Sequence, residues 1–185
     1  NAQTLLREIG YTERVEKVGL FRAYLTRHGE GPFVTEDEVL SNALPDTDND
    51  DHGPQGKFRV GWFDLVTARY ALAVSGGADS LAITNLDRFS QLEGKKKIAV
   101  AYEAPQGNRV EDLVVKTALQ DLAVQEKMTN FLNTVTPVYA DVPDHTIPHE
   151  YLQMIEENLK VPITVTSHGP VMSDKRTRAQ ASVAA

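Results

Sequence analysis

Short runs of apolar, β-branched and aromatic residues alternate along this chain with amphipathic stretches. Val15–Arg27, with Val18, Leu20 and Tyr24 in partial alternation, predicts a strand. Gly61–Ser75 carries Trp62, Leu65, Val66, Arg69 and Leu72 and is too apolar for an exposed helix, so it predicts a packed one, stopped by Gly76-Gly77. Asp79–Thr84 and Lys97–Tyr102 read as short buried strands. Gln120–Lys127 reads as a helix and Pro137–Ala140 as a strand. Pro148–Leu159 reads as an amphipathic helix with Tyr151, Leu152, Ile155 and Leu159 on one face, and Pro162–Thr166 as the last strand. Alternating strands and helices predict an α/β fold, a layered sheet flanked by helices.

Between Pro45 and Gly56 the pattern lapses into prolines, glycines and the acids Asp46, Asp48, Asp50 and Asp51, so residues 45–58 are read as a flexible acidic loop. D-T-D-N-D-D mimics the start of a calcium loop, but the required Gly and the bidentate Glu are not at their positions. Residues 175–185 read as a weakly ordered tail. No internal repeat is present, and 1–185 is treated as one region.

At 185 residues the chain can bury one sizeable core, and its 41% hydrophobic and 24% charged content is that of an ordinary globular protein. A net charge of −7 argues against a surface that binds nucleic-acid phosphates. No apolar run approaches the roughly 20 residues of a membrane span. The absence of cysteine removes disulfides, thiolate nucleophiles and thiolate metal ligands together. These features fit a cytoplasmic protein. The chain opens on Asn1-Ala2 without an initiator Met, which predicts a piece of a longer protein.

Candidate chemistry lies just after two of the expected strands, where α/β proteins hold ligands. Thr84-Asn85-Leu86-Asp87 places a carboxylate where it could accept from the adjacent N1 and N2 donors of guanine; a helix-cap or turn Asp fits the same residues. Ser167-His168-Gly169-Pro170 offers a hydroxyl, backbone N–H groups and a close backbone approach; a tight turn without a ligand fits equally. Arg59 suits a carboxylate or a phosphate, or a structural ion pair. His145 and His149 are separated by Pro148, which argues against a zinc pair, and His28 receives no role. No spacing suggests a Ser-His-Asp triad.

The run V-G-L-F-R-A-Y-L-T-R-H-G-E-G-P-F-V-T-E from Val18 to Glu36 resembles a signature of adenylosuccinate synthetases. In that family a strand ends in A-Y-x-T-R and is followed by a Gly-rich turn and G-P-F-x-T-E. Ala23, Tyr24, Thr26, Arg27, Gly29, Gly31, Pro32, Phe33, Thr35 and Glu36 match it. The resemblance extends from about Gly10 to Pro170 and implies the C-terminal part of a P-loop NTPase-related α/β fold. It further implies that Asp87 reads the guanine of GTP within a T-K-L-D-like segment comprising Asn85, Leu86 and Asp87. Ser167, His168 and Gly169 occupy the S-x-G-P element on the same base. Asn85 stands where the family has a lysine.

The segment Gln55–Asp64 aligns through G-W-F-D with the loop that grips aspartate, which implies substrate contacts from Gln55, Gly56 and Arg59. The family's long form has T-T-G-R-x-R-R there, whereas Gly53-Pro54 and Q-G-x-x-R stand here, as in shorter phage-type relatives acting on dGMP.

The family's general-base Asp, its phosphoryl-stabilising His and its magnesium site lie in an N-terminal half, beginning with a G-D-E-G-K-G-K loop that this chain lacks. The resemblance therefore implies a purine-biosynthetic ligase that, when full length, converts IMP, L-aspartate and GTP to adenylosuccinate as a homodimer. This portion alone is expected to be inactive, with no catalytic residue of its own. Two alternatives stand beside it: a 2-aminoadenylosuccinate synthetase-like ligase acting on dGMP, with ATP as its candidate nucleotide, and a non-catalytic purine-binding module.

Overall fold

The computed structural model describes residues 2–46, 49, 54–113, 121–142 and 149–178. Its helices are α1 (Ala2–Glu8), α2 (Glu38–Ala43), α3 (Leu65–Ser75), α4 (Leu86–Ser90), α5 (Leu122–Leu132) and α6 (His149–Leu159). Its strands are β1 (Val18–Arg22), β2 (Leu25–His28), β3 (Phe58–Gly61), β4 (Ser80–Thr84), β5 (Lys96–Glu103), β6 (Arg109–Val110), β7 (Thr136–Val142), β8 (Ile163–Ser167) and β9 (Lys175–Thr177). The α/β class follows from the alternation, as expected.

The strands form three sheets, in the orders β1-β4-β8-β9, β2-β3 and β6-β5-β7. In the first, β1, β4 and β8 run parallel and β9 closes the far side antiparallel. The four consecutive buried residues Ser80–Ile83 suit β4 to its place between β1 and β8, as its apolar run predicted. The other two sheets are antiparallel. A core of Phe63, Leu65, Leu81, Ile83, Leu86, Phe89, Ile98 and Tyr151 joins them, each with 0% exposure.

Two expected elements divide differently. The single strand Val15–Arg27 is two strands in different sheets, because Ala23 and Tyr24 turn into the core at 0% and 2% exposure. The Ala23 amide donates to the Thr84 carbonyl and its own carbonyl accepts from the Tyr151 hydroxyl, so the chain leaves one sheet before entering the next. The expected helix from Gly61 starts at Leu65 instead. Gly61 ends β3, and Asp64 caps α3 by accepting from the amides of Val66 (2.9 Å) and Thr67 (3.2 Å).

The short helices α1, α2 and α4 carry too few residues for a periodic signal and were not anticipated. Within the segment expected to be weakly ordered, Lys175–Thr177 form β9 because Ser167, Thr166 and Val165 give them a ladder; residues 179–185 lie outside the described residues. So do Asp48, Asp50 and Asp51 of the acidic loop, His145, and the expected helix starts Gln120 and Pro148.

Candidate functional site

Adjacent parallel strands bring the two distant sequence motifs together. β4 and β8 pair through Ala82–Val165 and Ile83–Thr166, so their C-terminal ends, Thr84 and Ser167, emerge side by side. Asn85 turns the chain at φ 61°, a left-handed conformation that Asn tolerates, and α4 begins at once. The Asn85 amide oxygen accepts from the Thr84 hydroxyl at 2.9 Å. Leu86 is fully buried, so its side chain belongs to the core and only its backbone faces the site. Asp87, in the first turn of α4, is half-buried and makes no side-chain hydrogen bond or ion pair among the described residues.

Opposite lies a closed loop. The Ser167 hydroxyl donates to the Gly169 carbonyl at 3.1 Å, and the His168 amide donates to the Asp174 carbonyl at 3.0 Å. Asp174 in turn accepts from the Val171 amide, and the Lys175 ammonium donates to the carbonyls of Gly169 and Val171. A Cβ on Gly169 would run into the Asp174 carboxylate, so glycine lets the loop close. His168 points a ring nitrogen at the Thr166 hydroxyl, 3.2 Å away. Burial and the nearby Arg176 hold its imidazole below the usual histidine range, against the opposing fields of Asp87 and Asp174. Asp87 and His168 thus share one electrostatic neighbourhood.

Two further residues edge this site. Tyr24, from the A-Y pair, is 2% exposed with its phenol pushed up by burial, and it lies within the fields of Arg88 and Arg22 and near Asn85. Arg88 donates to the Pro45 carbonyl and ties α4 to the start of the acidic loop. Sequence reasoning gave neither a role, although Tyr24 sat within the signature and Arg88 directly follows Asp87. A half-buried carboxylate beside a closed glycine turn can accept two parallel N–H donors from a flat heterocycle.

The second candidate group forms a separate cluster on the β2–β3 hairpin. The Arg59 guanidinium meets Glu36 at 2.7 Å and donates to the carbonyls of Gly29 (2.7 Å) and Gly31 (2.9 Å). It also lies 5.5 Å from the centre of the Phe33 ring. In this geometry the Arg59 side chain clasps the Gly-rich turn. Gly56, at φ 78°, sits against Gly29, and Gln55 is exposed beside the same turn. His28 faces Asn49 at 3.0 Å and packs on Phe58.

Each residue of G-W-F-D has a structural job. A Cβ on Gly61 would lie 2.6 Å from the Thr35 carbonyl. The Trp62 indole donates to Asp37 at 2.7 Å, Phe63 is wholly buried, and Asp64 caps α3. The motif is the joint between hairpin and helix.

The family model for adenylosuccinate synthetase matches residues 3–176. The adenylosuccinate synthetase of Fusobacterium nucleatum is 36% identical over 163 residues, covering 83% of this chain and 36% of its own length. That of a Cyanothece species is 35% identical over 170 residues, covering 87% and 36%, and that of Sordaria macrospora 34% over 175 residues, covering 90% and 39%. The chain therefore spans little more than a third of the curated relatives it matches. The structure of fully ligated adenylosuccinate synthetase from Plasmodium falciparum superimposes with a TM-score of 0.69 at 24% identity over 88% of this chain and 39% of that one, which establishes the fold. A match running through nearly the whole length, together with relatives above 30% identity, makes this chain a member of the adenylosuccinate synthetase family.

Proposed function

We propose that this chain is the C-terminal portion of a purine-biosynthetic ligase and supplies its nucleotide-base pocket. The carrying observation is the half-buried Asp87, without a side-chain partner among the described residues, facing the Ser167–Gly169 loop across the ends of β4 and β8. Its carboxylate would accept from N1 and N2 of guanine, the pair that distinguishes guanine from adenine. Gly169, Ser167 and the backbone from Asn85 to Leu86 would shape the floor on which the base lies. The full-length protein would join IMP and L-aspartate with GTP hydrolysis, giving adenylosuccinate, GDP and phosphate.

Magnesium and the transferring phosphoryl group would be held by residues outside this chain, and the chemical steps would proceed there. This chain's part is to orient the nucleotide and to present the Gln55–Arg59 loop towards aspartate. In that loop Arg59 holds the turn in shape while Gln55 and the Gly56 backbone are left to face the substrate. The full-length enzyme would act as a cytoplasmic homodimer, and the portion alone would not turn over.

Asn85 favours a second reading, a ligase on dGMP that draws on ATP. Its short amide is engaged by Thr84 and carries no long stem to lie over a purine face. Calorimetric titration of this chain with GDP and with ADP, repeated on Asp87→Asn, separates the readings. Preference for GDP, lost in the variant, supports the guanine pocket. Preference for ADP supports the second reading, and binding of neither by the full-length protein refutes the pocket.

A further inference from the structure

Past the end of β8 the chain turns back to start β9. Ser167 and Lys175 stand opposite each other in the β8–β9 ladder, so residues 168–174 are the connection between the two strands. Its backbone is braced from within. The Val171 amide donates to the Asp174 carboxylate at 3.0 Å, and the Asp174 amide donates back to the Val171 carbonyl at 3.1 Å. Lys175 holds the carbonyls of Gly169 and Val171. The tip so held carries Pro170, Val171 and Met172, three consecutive apolar residues that are all exposed. Val171 is 56% and Met172 85% exposed, the latter the highest value for a large apolar side chain among the described residues. Surface apolar residues scattered singly need no explanation, whereas adjoining ones on a braced turn mark a surface that meets something.

The place of the turn says what it meets. β8 lies beside β4, with Ile83 opposite Thr166, so the turn rises at the same end of the sheet as Asn85 and Asp87. His168, its first residue, lies in the fields of both Asp87 and Asp174, so the acceptor carboxylate and the foot of the apolar tip share one neighbour. Pockets for flat heterocycles cover the ring faces with apolar side chains and leave a few polar groups to fix orientation. The residues around Asp87 supply no such cover. Asn85 is short and engaged by the Thr84 hydroxyl at 2.9 Å, Leu86 is fully buried, and Arg88 is turned to the Pro45 carbonyl.

We propose that the Met172 side chain covers one face of the nucleotide base whose edge Asp87 reads. The proposal rests on the base-pocket reading and deepens it. Methionine suits the task, because an unbranched, polarizable thioether adapts to a flat ring and gains from sulfur–aromatic contact. A contact on the face is blind to the edge. Met172 therefore strengthens the binding of guanine and adenine nucleotides alike, while the choice between them falls to the Asp87 carboxylate.

The test uses the full-length protein with isotope-labelled methionine methyls, the Met172 signal being the one lost in Met172→Leu. Saturation with the nucleotide that binds, GDP or ADP, should move that signal upfield, because a methyl over a purine face sits in its ring current. Met128, on α5, serves as the unmoved control. Met172→Ser should weaken the same nucleotide by about three- to tenfold. It should keep the parent Tm, since the side chain is 85% exposed. An unmoved Met172 methyl, or a Kd unchanged by Met172→Ser, overturns the proposal and leaves the Asp87 pocket standing. Binding of neither nucleotide by the parent protein removes pocket and proposal together, so the two failures are told apart. The methyl shift is read on the parent protein and does not depend on Met172→Ser folding.

Discussion

The carboxylate of Asp64 accepts from the phenolic hydroxyl of Tyr102, joining the N-cap of α3 to the C-terminal end of β5 inside the core. Asp64 is 2% exposed and Tyr102 is 0% exposed. One carboxylate oxygen caps the helix and the other takes the phenol, so every polar group at this junction is satisfied. Burial pushes the Asp64 carboxyl above the usual range, while hydrogen bonds from Tyr102, Thr67 and Val66 pull it part of the way back.

Tyr102→Phe strands one oxygen of a buried carboxylate. The expected loss is about 1–3 kcal/mol, a fall in Tm of about 2–4 °C for each kcal/mol at this chain length. Chemical denaturation of the variant and the parent checks it. A loss under about 0.5 kcal/mol would mean that water replaces the phenol and the junction is open.

The same group sets a pH dependence. Because the folded carboxyl is raised above its unfolded value of 3.8, the folded state binds its proton more readily. This contribution to stability is fully present below the unfolded value and is lost as pH rises through the raised one. Asp64→Asn should flatten that part of the stability–pH curve. An unchanged slope just above pH 4 would show that Asp64 does not titrate there.

His168 has the opposite sign. Its folded value is held below 6.5, first by burial and then by Arg176, so its contribution is present above 6.5 and is lost as pH falls towards the lower value. His168→Gln should remove part of the destabilisation seen on acidifying from pH 7 to pH 5. NMR titration of the imidazole reads the shift directly, and a value above 6.5 would contradict it.

Arg59→Ala should loosen the Gly29–Gly31 turn and cost about 1–3 kcal/mol, the range for hydrogen bonds made by a charged group. Arg59→Lys should rescue little, because an ammonium cannot reach Glu36 and two carbonyls in the same plane. Thermal melts of both variants decide the point. If Arg59→Lys keeps the parent Tm and the full-length protein loses affinity for aspartate, the side chain serves the substrate rather than the turn.

Asp87→Asn should change stability by less than about 0.5 kcal/mol, since the carboxylate has no partner among the described residues to lose. A melt run beside the GDP titration provides the control. A large fall in Tm would give Asp87 a structural role and remove it as a free acceptor.

Much of this was legible from the chain alone. The apolar runs at Asp79–Thr84 and Pro162–Thr166 gave two strands of the parallel sheet, because a strand buried on both faces has no polar alternation to hide it. The Val18–Glu36 and G-W-F-D runs gave the family, because hairpin, turn and helix cap each demand particular residues at fixed offsets. The α/β class followed from the alternation of periods. What the sequence could not decide was which strands are neighbours, and pairing sets every long-range relationship here. It splits Val15–Arg27 between two sheets, because Ala23 and Tyr24 are drawn into a core made by distant elements. It sets Asp87 opposite His168, because β4 lies beside β8. It gives Arg59 its clasp on the Gly-rich turn, because the hairpin folds Gly29 and Gly31 back onto it. Local chemistry is written in the order of residues, whereas contact between distant residues depends on how apolar faces and strand edges find partners in three dimensions.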